Sequence, residues 1–155
     1  MIKIHQNTLN DLEFSTVLIQ AASYATTDLG RNAVLSLSPY SEKHHAVIAL
    51  VQTSEYLASF DNDNRIPNHG FEEISTEIKQ LGVLNNYLEV ESFRNIAALV
   101  ATTNSLLTFF KKFKEYYPQL FLQSEVIEPN KTIVKEIDKV INSFGEIKST
   151  ASPQL

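Results

Sequence analysis

Cysteine is absent from this sequence, and glycine is scarce, with four among 155 residues. Without cysteine there is no disulfide framework, no thiolate nucleophile and no thiolate metal site, and the compartment to expect is a reducing one, the cytoplasm by default. The glycines, Gly30, Gly70, Gly82 and Gly145, are too far apart to build either a GxxxxGK loop or a GxGxxG turn, so neither kind of nucleotide-phosphate cradle exists here. No apolar run approaches the length needed to cross a bilayer, and the opening residues Met1-Ile2-Lys3-Ile4-His5-Gln6 lack the apolar core of a signal peptide. The expectation is neither export nor membrane insertion.

What is present is ordinary globular usage, 43% hydrophobic and 20% charged, with five prolines. A chain of this length buries roughly two-thirds of its unfolded surface, so one self-sufficient core is the expectation. The net charge of −5 is unevenly placed, since residues 1 to 80 carry 5 Lys+Arg against 10 Asp+Glu and residues 81 to 155 carry 8 of each. A wide grip on a phosphate backbone needs clustered basic residues, and only the second half has any.

Hydrophobic spacing predicts an all-α fold with little or no strand. Thr8-Leu9-Asn10-Asp11 reads as a capping box opening a first helix with Phe14, Val17, Leu18, Ala21, Ala22 and Ala25 at helical spacing. Thr26 or Thr27 caps a short second helix carrying Leu29, Ala33, Val34 and Leu37, ended by Pro39, with Gly30 inside it marking close packing or a bend. Ser41 is the natural N-cap of a longer third helix whose Val47, Leu50, Val51, Leu57 and Ala58, with Ser54 between them, form one stripe. Asp61 to Gly70 is turn-rich and aperiodic, a loop. A short fourth helix with Phe71, Ile74, Ile78 and Leu81 follows, with Gly82 as a left-handed stop. Residues 89 to 117 form the longest periodic stretch, buried on more than one side and closed by Pro118, after which Leu120, Phe121 and Leu122 make a short turn back onto the core. After Pro129 a last helix presents Ile133, Ile137, Val140, Ile141 and Phe144, with Gly145 as its stop. The tail alternates and ends in a Ser-Pro turn signal, consistent with a short hairpin.

The search for chemistry returns little. His44 and His45 are neighbours on a helix and point about 100° apart, which does not suit two ligands of one metal, so they read as surface histidines. Asp61-x-Asp63 with Glu72 at the twelfth place imitates a calcium loop, but Arg65 stands at the fifth place and Ile66 where the sharp turn needs glycine. Lys111, Lys112 and Lys114, interleaved with Phe109, Phe110, Phe113, Tyr116 and Tyr117, form the one cluster suited to nucleic-acid contact. A structural role for them is favoured, because lysines in a last helical turn complement the macrodipole and Phe110 and Phe113 fit the core stripe. No catalytic, cofactor-binding or metal-ligating residue emerges, and the residues by themselves give a helical scaffold or interaction domain.

Several segments, in order, resemble one family. Thr8-Leu9-Asn10-Asp11-Leu12-Glu13-Phe14, Thr26-Thr27-Asp28-Leu29-Gly30-Arg31, Leu37-Ser38-Pro39, Thr53-Ser54-Glu55, Gly82-Val83-Leu84 and the tail from Gly145 to Leu155 are similar to the start of MutS-family proteins, in the recombination-suppressing branch that ends in a small nuclease-like Smr domain. Lys148-Ser149-Thr150 departs from the pattern, where an acidic residue is more usual. The resemblance implies an N-terminal structural segment, with residues 1–144 as a helical core-like domain and 145–155 as the start of the connection to lever helices. It implies no catalysis in this segment, and a longer protein with an ATPase domain using ATP and Mg and an endonuclease domain. Such a protein would bind branched or duplex DNA as a homodimer and suppress homologous recombination, and some relatives are tied to ribosome rescue. The partners implied are that protein's own ATPase and clamp regions, and no membrane. The alternative is a free-standing helical protein-interaction domain, which a large exposed apolar patch would favour.

Overall fold

The computed structural model describes residues 4–142 and 144–152. Among them the chain forms eight helices: α1 (Gln6–Asp11), α2 (Phe14–Ala22), α3 (Asp28–Leu35), α4 (Lys43–Asp61), α5 (Ser75–Leu81), α6 (Val90–Lys112), α7 (Pro118–Ser124) and α8 (Thr132–Val140). One isolated antiparallel bridge, Ile141 to Ile147, is the β pairing found among the described residues. The fold is all-α, as the periodicity predicts.

The first expected helix is broken in two. Thr8 lies inside α1 rather than at a cap, and the chain turns at Glu13, whose φ of 50° puts it in the left-handed region before α2 begins. That kink replaces the capping box and folds α1 back on α2, which in turn packs against α3.

The start of α3 follows the sequence. Thr27 is the N-cap, and its hydroxyl oxygen accepts the Gly30 N–H at 3.0 Å, satisfying one of the orphan donors of the first turn. A Cβ at Gly30 would lie 3.0 Å from that same oxygen. Glycine therefore stands there because of the cap, and the helix ends at Leu35, short of Pro39.

Helix α4 starts at Lys43 with Glu42 in the cap position and no side-chain cap bond, so Ser41 does not serve as its N-cap. Its expected stripe lies largely on the surface, with Val47, Leu50, Val51 and Leu57 all exposed. The residues it buries are instead Glu55 and Ser59. After α5, Gly82 has φ −78° and is not left-handed, its N–H bonding the Lys79 carbonyl at 3.2 Å. The left-handed residue of that turn is Asn85, with φ 60°.

The long helix ends at Lys112, five residues before its expected limit, and a turn through Phe113 to Tyr117 lets α7 return along it. Pro118 does not close α6 but opens α7 at its first position, where a missing N–H costs nothing. α6 packs against both α7 and α8, and α4 packs against α7. The buried apolar positions are Ala22, Ile74, Ile96, Tyr117 and Ile141. Ile141 is extended and pairs with Ile147 rather than continuing α8. Phe144, expected on the helix's apolar face, is exposed. Gly145 is left-handed as expected, with φ 82°, but it closes a turn in which Asn142 N–H bonds the Glu146 carbonyl at 2.9 Å.

Candidate functional site

The polar side chains drawn inward are occupied in fastening helices. The Glu55 carboxylate on α4 accepts the Gln119 N–H at 2.9 Å on one oxygen and the Leu120 N–H at 2.9 Å on the other. A buried anion thus sits on the first turn of α7, where the free N–H groups and the helix dipole favour negative charge. Tyr117, fully buried, donates its hydroxyl proton to the Asn64 carbonyl and accepts from Asn62 Nδ2 at 3.1 Å. Asn62 Oδ1 in turn takes the Asn64 N–H at 2.8 Å. The supposed calcium loop is therefore a short Asx turn bolted to Tyr117 at the start of α7, with its asparagines committed to protein partners.

A second clasp joins α6 to α8. Asn104 Nδ2 donates to the Asn130 carbonyl at 2.7 Å while Asn104 Oδ1 accepts the Asn130 N–H at 2.9 Å. Asn130 Oδ1 then caps α8 by accepting from Thr132 and Ile133 N–H, both at 3.1 Å. Sequence reading missed Glu55, Tyr117 and this asparagine pair. Asn130 directly after Pro129 carried a capping signal, but nothing local marks Glu55 or Asn104, whose partners lie 64 and 26 residues away.

An apolar cleft of about 230 Å³ opens between α4 and α6, with Ile66, Phe71, Leu99, Leu106 and Phe110 among its walls and His69 and Tyr56 at its polar edge. His69 Nδ1 lies 3.0 Å from the Pro67 carbonyl, which only accepts, so that nitrogen donates, and Nε2 lies 3.3 Å from the Tyr56 hydroxyl. His44 and His45 are exposed in the first turn of α4, their ring centroids 3.9 Å apart. Among the described residues no group of three or more His, Cys, Asp or Glu is placed to hold a metal ion.

Lys111, Lys112 and Lys114 are all exposed at the end of α6 and in the turn after it. The aromatic residues between and around them divide between the interior and the surface. Phe109 lies against Tyr117, which is buried, and Phe110 lines the apolar cleft. Tyr116 is exposed, and Lys112 Nζ sits 4.9 Å from the Phe113 ring centroid. Lys111 borders another cleft together with Lys131, from the loop before α8. No helix among the described residues is long and apolar enough to cross a membrane.

No protein-family model matches the chain, and no solved structure matches it significantly. Relatives do match along nearly its whole length. The endonuclease MutS2 of Symbiobacterium thermophilum is 26% identical over 150 residues, which cover 97% of this chain and 19% of the relative. The endonuclease MutS2 of Clostridium beijerinckii is 25% identical over 154 residues, 98% of this chain and 20% of the relative. That of Leuconostoc mesenteroides is 24% identical over 157 residues, with the same two shares, 98% and 20%. The chain therefore spans about one fifth of the length of the curated relatives it matches. The chain is all-helical and similar, over nearly its whole length, to one segment of a class of proteins. That class is the MutS2 endonucleases.

Proposed function

We propose that this chain is a structural module of a MutS2-like DNA-binding ATPase and endonuclease, acting in suppression of homologous recombination or DNA repair, and that it carries no catalytic step itself. The observation that carries the reading is the use made of its inward polar groups. Glu55, Asn62, Asn104, Asn130 and Tyr117 each hold one helix or turn against another, which is the use a scaffold makes of such groups. Packed helices tied at discrete points are suited to transmitting a rearrangement between domains. The remaining functions belong to the longer protein: ATP and Mg at its ATPase domain, DNA contact by the whole protein, homodimerisation and cytoplasmic residence. Residues 1–144 form the core-like part in this reading, 145–155 lead toward lever helices, and Lys111, Lys112 and Lys114 serve α6 rather than DNA.

A second reading, a helical protein-interaction domain, is favoured by the exposed apolar face of α4. The test of the first is direct. Incubated with Mg, ATP and supercoiled or branched DNA, the chain is expected to hydrolyse no ATP and leave the DNA intact. Turnover of either substrate, retained through repurification, would overturn the proposal.

A further inference from the structure

Where α6, α7 and the start of α8 meet, an open cleft of about 370 Å³ has Leu107, Phe121, Ile127 and Pro129 as its apolar floor. Ile127 remains 49% exposed there. A cavity of about 150 Å³ admits benzene, so this cleft has room for a leucine or phenylalanine side chain with some backbone on either side. Its shape is held by the clasp between Asn104 and Asn130. That clasp brings Lys131, the next residue, to the same opening as Lys111.

The mouth is positive although the chain as a whole carries −5. Lys111 and Lys131 are both exposed, and neither forms an ion pair with a described residue. Lys131 is also the N-cap of α8, whose first turn holds no acidic residue. The helix dipole favours an anion at that end, and the sequence puts a cation there instead. Lysine stems lie along apolar walls while their ammonium groups stay in water, so the two charges stand at the rim. Glu125 is the one acidic residue in the lining. It repels a phosphodiester but can accept a peptide N–H.

We infer that this cleft docks a linear segment of a partner protein in which an apolar anchor, leucine or phenylalanine, is flanked by aspartate or glutamate. The anchor covers the floor at Phe121 and Ile127. The flanking carboxylates meet Lys111, Lys131 and the N-terminus of α8, and Glu125 accepts a backbone N–H of the bound segment. Two lysines beside one carboxylate, in a chain of net negative charge, are too few to grip a phosphate backbone. An apolar floor with a charged rim suits a short acidic motif. The inference rests on the cleft alone and stands whether or not the chain serves a MutS2-like protein.

The test is fluorescence anisotropy of a labelled peptide of about twelve residues, its phenylalanine and leucine each flanked by aspartates, titrated with the full chain. Binding with a Kd of about 10–100 µM that weakens with salt is expected. Lys111→Glu and Lys131→Glu each weaken it about tenfold and Ile127→Asp about thirtyfold, with circular dichroism unchanged. Lys112→Glu, outside the cleft lining, stays within about threefold, which separates contact at the rim from a general loss of positive charge. Serine in place of the peptide's phenylalanine and leucine removes binding. No binding of the acidic peptide up to about 1 mM overturns the inference, as do equal losses at Lys112 and Lys131 or binding indifferent to Lys131→Glu. Single-stranded DNA that displaces the peptide, and whose own binding both cleft-lysine variants lose, overturns it as well and gives the cleft to nucleic acid.

Discussion

Glu55 and Leu120 stand 65 residues apart, and the carboxylate of the first accepts the backbone N–H of the second at 2.9 Å, with Gln119 N–H bound alongside at 2.9 Å. One side chain of α4 thereby caps α7. Removing it strands two donors in a part-buried site and deletes charge-assisted bonds, so Glu55→Ala is expected to cost about 2–4 kcal/mol. Glu55→Gln keeps one acceptor oxygen and should cost about half as much. Urea unfolding followed by circular dichroism measures both. Equal losses for the two variants would show that the carboxylate's second oxygen contributes nothing.

Tyr117→Phe keeps the ring in the core and removes only the hydroxyl that binds Asn64 and Asn62. The expected loss is about 1–2 kcal/mol. Amide exchange should quicken at residues 62–64, while α8, fastened separately through Asn104, keeps its protection. Uniform quickening throughout the chain would mean that the hydroxyl holds the core as a whole.

Thr27 and Gly30 should be coupled. An alanine in a helix interior is worth about 1 kcal/mol over glycine, but at position 30 its Cβ would press on the capping oxygen at 3.0 Å. Gly30→Ala is therefore expected to give no gain in the native background and about 1 kcal/mol once Thr27→Ala has removed the hydroxyl. A double-mutant cycle by thermal unfolding reads the difference.

Gly145 meets two demands at once. Its φ is 82°, and a Cβ there would lie 3.0 to 3.2 Å from three atoms of the Arg94 side chain. Gly145→Ala is expected to cost about 1–2 kcal/mol. Arg94→Ala should relieve the crowding and leave the backbone penalty, so the double variant recovers only part of the loss. Full recovery would assign the whole cost to Arg94.

The sequence revealed most where the signal was local. Thr27 lies three residues before its bonding partner, Gly145 needed a left-handed backbone, and the spacing of apolar residues marked the long helices. Where the outcome depended on distant partners, the local signal misled. Pro118 reads as a stop, yet it opens α7 because the turn after Lys112 had already ended α6. Thr8 reads as a cap, yet Glu13 supplies the break. The α4 stripe could be seen as a stripe, but not that it would face outward, since periodicity says which residues share a side and not what covers it. Of the candidate site, Lys111, Lys112 and Lys114 were legible as a cluster in the sequence, and the three are exposed. Phe113 stays beside Lys112 and Tyr116 is exposed, but Tyr117 is drawn inward, because its hydroxyl is claimed by a loop more than fifty residues upstream.

The most direct measurement is fluorescence anisotropy of labelled duplex and branched DNA titrated with this chain across a salt series, beside a variant carrying Lys111→Ala, Lys112→Ala and Lys114→Ala. A scaffold segment gives no binding at low salt with either protein. Salt-sensitive binding that the triple variant loses would contradict that role and make the end of α6 a nucleic-acid contact.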